Sequence, residues 1–516
     1  MTTQGIIKQG VYYDSVTLMT VTQRINALEG IVDSSVVMGT RENKAILESA
    51  GLFVSDFADA SDTDLLISVQ AENSTFAQNA MARLEMILKD ISSSEGSHRR
   101  DTARSIHDAV ERLEGSNLSL ISIAGRYAVA EVRKALDLGL HVMLFSDNVP
   151  IEDEKRLKEE ARDRGLLLMG PDCGTAIING VPLAFANAVQ RGNIGIVAAS
   201  GTGLQEVSCI ISNRGAGISQ ALGTGGRDVK KEIGGIMFIE AMKALFEDER
   251  TQCIVLISKP PDDEVLSLIA KEISRTDKPV VAMFIGANSE KVGQAGALPA
   301  HSLSEAALLA VQLSLGKPVE DVRAMLKSIH DEVGSLAKKL SPGVKGRYVR
   351  GLFSGGTLCH EAQLILKEHI GHVYSNVPLD PDYLLSASGE GSFHSLIDMG
   401  DDAFTAGRPH PMIDFSQRCK RIQEEAKNPE TVIVLFDLVL GYGAHVSPLD
   451  EILPAVTAAR RHSPDLLFIC SVTGTDDDPQ NRQAVTESLR ESGVIVMMSN
   501  YSAALLTGHI IKNITS

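Results

Sequence analysis

The stretch ASGTGLQE, residues 199–206, returns as SGGTLCHE at 354–361, with Ser200-Gly201-Thr202 matching Gly355-Gly356-Thr357 and Glu206 matching Glu361 at a constant offset of 155 residues. The match extends well past that phrase. NIGIVAAS and RGLFSGG lead into the two turns, CIVLISK is answered by TVIVLFD, VVAMFIG by DLLFICSV, and the acidic helix end ALFEDERTQ by EEAKNPET. Short apolar runs bounded by turns read as strands buried on both faces, and the periodic stretches between them as helices. The chain is therefore expected to contain two tandem flavodoxin-like α/β domains, at 191–315 and 346–516, packed about a pseudo-twofold axis.

Two further α/β units precede the repeat. Residues 1–91 alternate GIIKQGVY, SSVVMG and DLLISVQ with three amphipathic stretches, which predicts a small N-terminal α/β domain, and SSSEGSHRRD (92–101) reads as a linker. Residues 102–190 place LSLISIAG, HVMLFSD and LLLMGPD in βαβαβ order, a Rossmann-like unit whose ligands would lie beyond the carboxyl ends of the strands. The turns there carry Gly125, Asp147 and the GPDCG phrase, which makes Gly125, Asp172 and Cys173 candidates for holding a cofactor. Between 316 and 345 lies an amphipathic helical stretch ending in KKLSPGVKG, whose Pro and Gly mark a second linker.

Composition narrows the function. A net charge of −17 opposes tracking of a phosphate backbone, so nucleic acid is not an expected partner. No apolar run reaches membrane-spanning length and no leader pattern opens the chain, so a cytoplasmic, membrane-free protein is expected. The six cysteines are scattered without CxxC spacing, which argues against a zinc site or a disulfide framework, and no metal is expected.

A strand that ends in small residues and opens a helix leaves backbone N–H groups pointing outward at the positive end of the helix dipole, a natural anion site. Ser200, Gly201 and Thr202 would form one such site and Gly355, Gly356 and Thr357 another, and two facing helix ends could clamp one phosphate. A single turn of this kind more often just caps a helix. GTGGRD (223–228) adds Gly225, Gly226 and the cation of Arg227, with Asp401, Asp402, Arg408 and His410 in the corresponding segment of the second copy. His360, one turn into its helix, and His445, ending DLVLGYGAH, are candidate acid–base groups, although a lone histidine is more often a structural hydrogen-bonder.

At GPDCGTAI, RGNIGIVAASGT and GTGGRD the sequence resembles the α subunit of succinyl-CoA synthetase, and with KQGVYYDSVTLM and LISKPPDDEV it is more closely similar to the FdrA family of acyl-CoA synthetase-like proteins, along the whole chain. Residues 346–516 resemble the C-terminal ligase domain of the synthetase β subunit. The resemblance implies two succinyl-CoA synthetase-type domains meeting at one phosphohistidine. Here, however, GQAGA puts Gln294 where that histidine falls, an amide that cannot carry the phosphoryl group. SKPP puts Lys259 where the family has a glutamate, and His301 is a distant substitute. The ATP-grasp domain, a P-loop and the glycine fingerprint for CoA are all missing, so CoA is a possible ligand and ATP is not expected to bind this chain alone. Three functions follow: an acyl-phosphate transferase similar to oxamate carbamoyltransferase, moving a carbamoyl group between oxalurate and phosphate; an ADP-forming acid–CoA ligase completed by a partner; or an anion-binding scaffold. All three fit a small anionic ligand and a homo-oligomer or hetero-complex.

Overall fold

The computed structural model describes residues 1–11, 13, 15–94, 103, 105–385, 393–405 and 409–515. The chain divides into two compact units, one of residues 1–114 with 401–410 and one of 115–400 with 411–516.

In the first unit, β1 (Thr2–Lys8), α1 (Ser15–Asn26), β2 (Ile31–Met38), α2 (Arg41–Ser49), β3 (Leu65–Ala71) and α3 (Ser74–Ser94) follow the alternation read from the sequence. The strands form an antiparallel sheet in the order β1-β3-β2, with Ile67 registered opposite both Ile6 and Val36. Side chains alternate faces along a strand, and both faces of this sheet are covered. Ile67 and Val69 pack with Val21, Ile25, Leu84 and Leu88 of α1 and α3. Leu66 packs oppositely with Leu47, Leu52 and Phe57. The segment read as a linker from residue 92 begins as the last turn of α3; its remainder, 95–101, lies outside the described residues.

Helix α4 (Ile106–Arg112) also belongs to the first unit; the second opens with β4 (Leu118–Ile121), α5 (Gly125–Asp137), β5 (His141–Leu144), α6 (Ile151–Asp163) and β6 (Leu168–Met169), a parallel three-stranded sheet in the order β4-β5-β6. A hairpin, β7 (Thr175–Ile178) and β8 (Val181–Ala184), follows. Next come β9 (Arg191–Ala198), α7 (Gly201–Asn213), β10 (Ile218–Gly223), α8 (Ile236–Glu247), β11 (Cys253–Ser258), α9 (Asp263–Ile273), β12 (Val280–Phe284), α10 (Ser289–Gln294), β13 (Leu298–Pro299) and α11 (Leu303–Ser314). Their sheet runs β13-β12-β11-β9-β10-β7-β8, parallel apart from the hairpin.

After α12 (Asp321–Leu340) the pattern repeats with β14 (Tyr348–Phe353), α13 (Gly356–Ile370), β15 (Tyr374–Ser375), β16 (Ser395–Asp398), α14 (Asp402–Thr405, in the first unit), α15 (Ser416–Glu425), β17 (Thr431–Val439), α16 (Leu449–His462), β18 (Leu467–Thr473), α17 (Arg482–Glu491), β19 (Ile495–Met497) and α18 (Asn500–Thr515). This sheet is all parallel, in the order β15-β16-β14-β17-β18-β19. The five parallel strands of the first sheet, β10-β9-β11-β12-β13, thus have the connectivity of β16-β14-β17-β18-β19.

One hydrophobic core runs through both sheets, from Ile194, Val255 and Leu204 to Phe353, Leu435 and Leu506. The amphipathic stretch ahead of the second linker contributes to it: Val322, Val333 and Ala337 of α12 are buried in that core. The apolar face of α12 makes it a structural strut between the halves.

Candidate functional site at two meeting helix ends

The repeated turns converge. Ser200 caps α7 by accepting from the Gly203 amide at 3.0 Å, and its hydroxyl lies 2.5 Å from the Thr357 hydroxyl of the other copy. Gly355 backs onto Thr202 so closely that a Cβ there would sit 2.9 Å from the threonine side chain. Helix geometry leaves the first amides of α7 and α13 without intrahelical acceptors. Among the described residues, those of Gly201, Thr202, Gly356 and Thr357 make no other hydrogen bond.

The two ends are not equivalent. In the second copy, Asp437 at the end of β17 accepts from the Ser354 amide at 2.7 Å and the Gly355 amide at 2.8 Å, and the buried Arg418 donates to its Oδ1 at 3.0 Å. Asp398 closes on Gly356 from the other side. The strand position matching Asp437 in the first copy is Ile257, so the α7 end has no such internal carboxylate.

Lys259, exposed just beyond β11, is close enough to His360 to act on its charge. Burial first, and Lys259 second, hold the His360 imidazole down at about 4, so it is neutral at physiological pH and Lys259 carries the positive charge. His445 is elsewhere and occupied. Its Nε2 pairs with Glu451 at 3.0 Å, its Nδ1 accepts from the Ser447 amide at 3.0 Å, and its ring stacks on Phe415. Structural anchoring, the commoner use of a lone histidine, is what the surroundings of His445 support.

The repeated glutamates lie one turn deeper. Glu361 of α13 accepts from the Leu303 amide at the start of α11 at 2.7 Å and from Asn500 Nδ2 at 2.7 Å. Glu206 of α7 accepts from the Asn500 amide at the start of α18 at 3.0 Å, and from the Thr473 hydroxyl. Each copy's glutamate therefore caps the last helix of the other copy. Burial pushes Glu361 up to about 7 and raises Glu206 as well.

The remaining candidates are drawn into packing. Arg227 spends its charge on the buried Glu154 at 2.8 Å and on the Val149 carbonyl at 2.9 Å. Glu154 also pairs with the buried Lys158, which reaches Asp228 at 2.7 Å, and Asp228 caps α8 through the Phe238 amide. Gly225, at φ +84°, turns the chain against the Pro171 carbonyl, and Gly226 lies near the Ala199 carbonyl. Cys173 faces the Gly223 and Thr175 carbonyls in the core, and burial pushes its thiol up to about 12. Asp172 is exposed in the left-handed region at φ +56°, which aspartate tolerates. Asp401 caps the short α14, whereas Arg408 lies outside the described residues. Gln294 is exposed at the end of α10, 3.4 Å from Glu290. His301 completes a capping box, its amide donating to Glu305 at 2.7 Å.

The whole chain aligns with a protein of Escherichia coli K12 described as uncharacterized protein YahF, 40% identical over 516 residues and 99% of each chain. The chain belongs to the FdrA family of acyl-CoA synthetase-like proteins. Within this FdrA-type chain, residues 352–510 match a CoA-ligase family model and residues 1–104 a model for the AllF heavy metal-associated domain. The α subunit 2 of the ADP-forming succinate–CoA ligase of Archaeoglobus fulgidus is 28% identical over 239 residues, 44% of this chain and 80% of that one. Among solved structures, ATP citrate lyase from Methanothrix soehngenii, in complex with citrate and coenzyme A, overlaps 80% of this chain and 79% of its own at 12% identity and a TM-score of 0.35.

Two groups that these names suggest fit poorly. Residues 1–104 contain no cysteine and a single histidine, His98, and no described cluster could hold a metal. At the α5 end, Ala124 supplies no side-chain cap, and a Cβ on Gly125 would come within 2.2 Å of the Asp147 carbonyl. Gly125 thus serves a close approach of backbone to backbone rather than opening a cradle for the pyrophosphate of CoA.

Sequence reasoning missed Asp437, Arg418 and Asn500. For Asn500 the signal was a polar residue where the matching helix start has Leu303; the match of Asp437 to Ile257 emerges only from the strand registers, and Arg418 carried no such signal.

Proposed function

We propose that this acyl-CoA synthetase-like protein is a transferase for a small acyl phosphate, with oxamate carbamoyltransferase chemistry as the specific reading, working without a phosphohistidine. The observation that carries the reading is the meeting of the Ser200 and Thr357 turns beside Lys259 and His360, while Gln294 stands where a phosphoryl carrier would be needed. Free helix-end amides and one lysine are suited to phosphate and to a developing oxyanion. In the phosphorolytic direction an oxygen of phosphate attacks the carbamoyl carbon of oxalurate, the C–N bond to the oxamate nitrogen breaks, and that nitrogen takes up the proton released by phosphate. Orientation and electrostatics would supply the rate. His360, neutral, would orient a hydroxyl or a ligand oxygen rather than add charge.

The α-subunit relatives support a hetero-complex, in which partners would add what this chain lacks. The test is oxalurate phosphorolysis by the purified chain, alone and with co-expressed subunits, read as carbamoyl phosphate formed. Production that falls at least about tenfold in Lys259→Ala is expected. ATP-dependent acyl-CoA formation with no carbamoyl phosphate would establish the ligase instead.

A further inference from the structure

Away from the site, three helices of the second unit bring three imidazoles together. His330 of α12 and His369 of α13 each contact His509 of α18, ring centre to ring centre at 4.9 Å and edge to face. His369 is fixed by its Nδ1, 2.9 Å from the Ile365 carbonyl, and its Cβ lies against the α18 backbone at Gly508. His509 Nε2 is buried with no hydrogen-bond partner. Among the described residues, His369, His330 and Lys512 act on the His509 charge, and Asp331, beside His330, is already bridged to Lys327 at 2.6 Å. No cluster among the described residues is arranged to hold a metal.

We infer that the His330–His369–His509 cluster is a proton-sensitive joint that loosens the connecting helix α12 from α13 and α18 on mild acidification. Neutral imidazoles can pack edge to face, whereas two or three imidazoliums at this spacing repel one another and add to Lys512. Burial, and then the neighbouring His369 and His330, lower the His509 value below its ordinary 6.5, as a crowded cluster requires. The same helices carry the candidate site at their other ends, through Gly356 and Asn500, so a loosened α12 would reach the meeting turns through continuous elements.

The experiment compares the full chain with His330→Gln, an exposed position where folding is expected to survive, and with His509→Gln. Thermal midpoints are recorded at pH 7.5 and 5.5, with hydrogen exchange in peptides covering 321–340 corrected for intrinsic rates. The wild type should lose more stability on acidification than His330→Gln, by on the order of 2 °C or more, and protection should fall first in α12. Equal losses in wild type and both variants, or acid-induced exchange that spares 321–340, would overturn the inference.

Discussion

At the residue scale, the site depends on which charges are available. Arg227 is committed to Glu154, whereas Lys259 is exposed and next to a neutral histidine. The folded His360 titrates near 4 and the unfolded one near its ordinary 6.5, so the unfolded chain binds the proton first. Its contribution to stability is therefore complete above about 6.5 and is lost as pH falls toward 4. Lys259→Ala removes the smaller of the two causes, so an NMR titration of His360 should show the value rising while staying below 6.5. A midpoint unchanged by the substitution would show that Lys259 does not face the imidazole. The buried Lys158, shared by Glu154 and Asp228, gives a sharper stability test. Lys158→Met leaves two buried carboxylates short of a partner, and about 3–5 kcal/mol should be lost in denaturant unfolding. The sequence suggested Arg227 as an anion ligand because a cation after glycines is suitable chemistry; its partner, Glu154, is distant in sequence and could only be found in three dimensions.

Among the elements, the repeat was legible because buried parallel strands are written as apolar runs and their turns as small residues. What could not be read was the reciprocal capping by Glu206 and Glu361, since a glutamate one turn into a helix is ordinarily a surface residue. The hairpin β7–β8 was also missed, although its Asn179-Gly180 turn, with both φ values positive, was a usable signal. Glu361→Ala strands the Leu303 amide and the Asn500 side chain and should cost about 1–3 kcal/mol. Because Asn500 bonds to both glutamates, the double variant with Glu206→Ala should depart from additivity by more than about 0.5 kcal/mol in a thermodynamic cycle. Strict additivity would mean that the two caps act separately. The pH sign is opposite to that of His360. With the folded Glu361 near 7 and an unfolded value near 4.5, the folded state holds the extra proton, and this contribution is complete below about 4.5 and lost as pH rises through 7.

For the whole molecule, the shared core predicts that the two ligase-type halves unfold together. Calorimetry of the full chain should show no separate transition for 346–516, and probes placed in either half should give the same midpoint; two resolved midpoints would show that α12 is a tether and not a strut. The fold class was readable from pattern alone, whereas the site was readable only as a set of candidates, because convergence of Ser200 and Thr357 is a property of how two sheets share one core. In the proposed function the meeting helix ends and Lys259 bind a phosphate-bearing ligand without covalent phosphorylation. Its most direct test is calorimetric titration of carbamoyl phosphate and inorganic phosphate into the native chain and into Lys259→Ala. Binding by the native chain should weaken at least about tenfold in the variant, with no phosphate left on the protein after denaturation. Equal affinity in both proteins, or phosphate retained covalently, would contradict it.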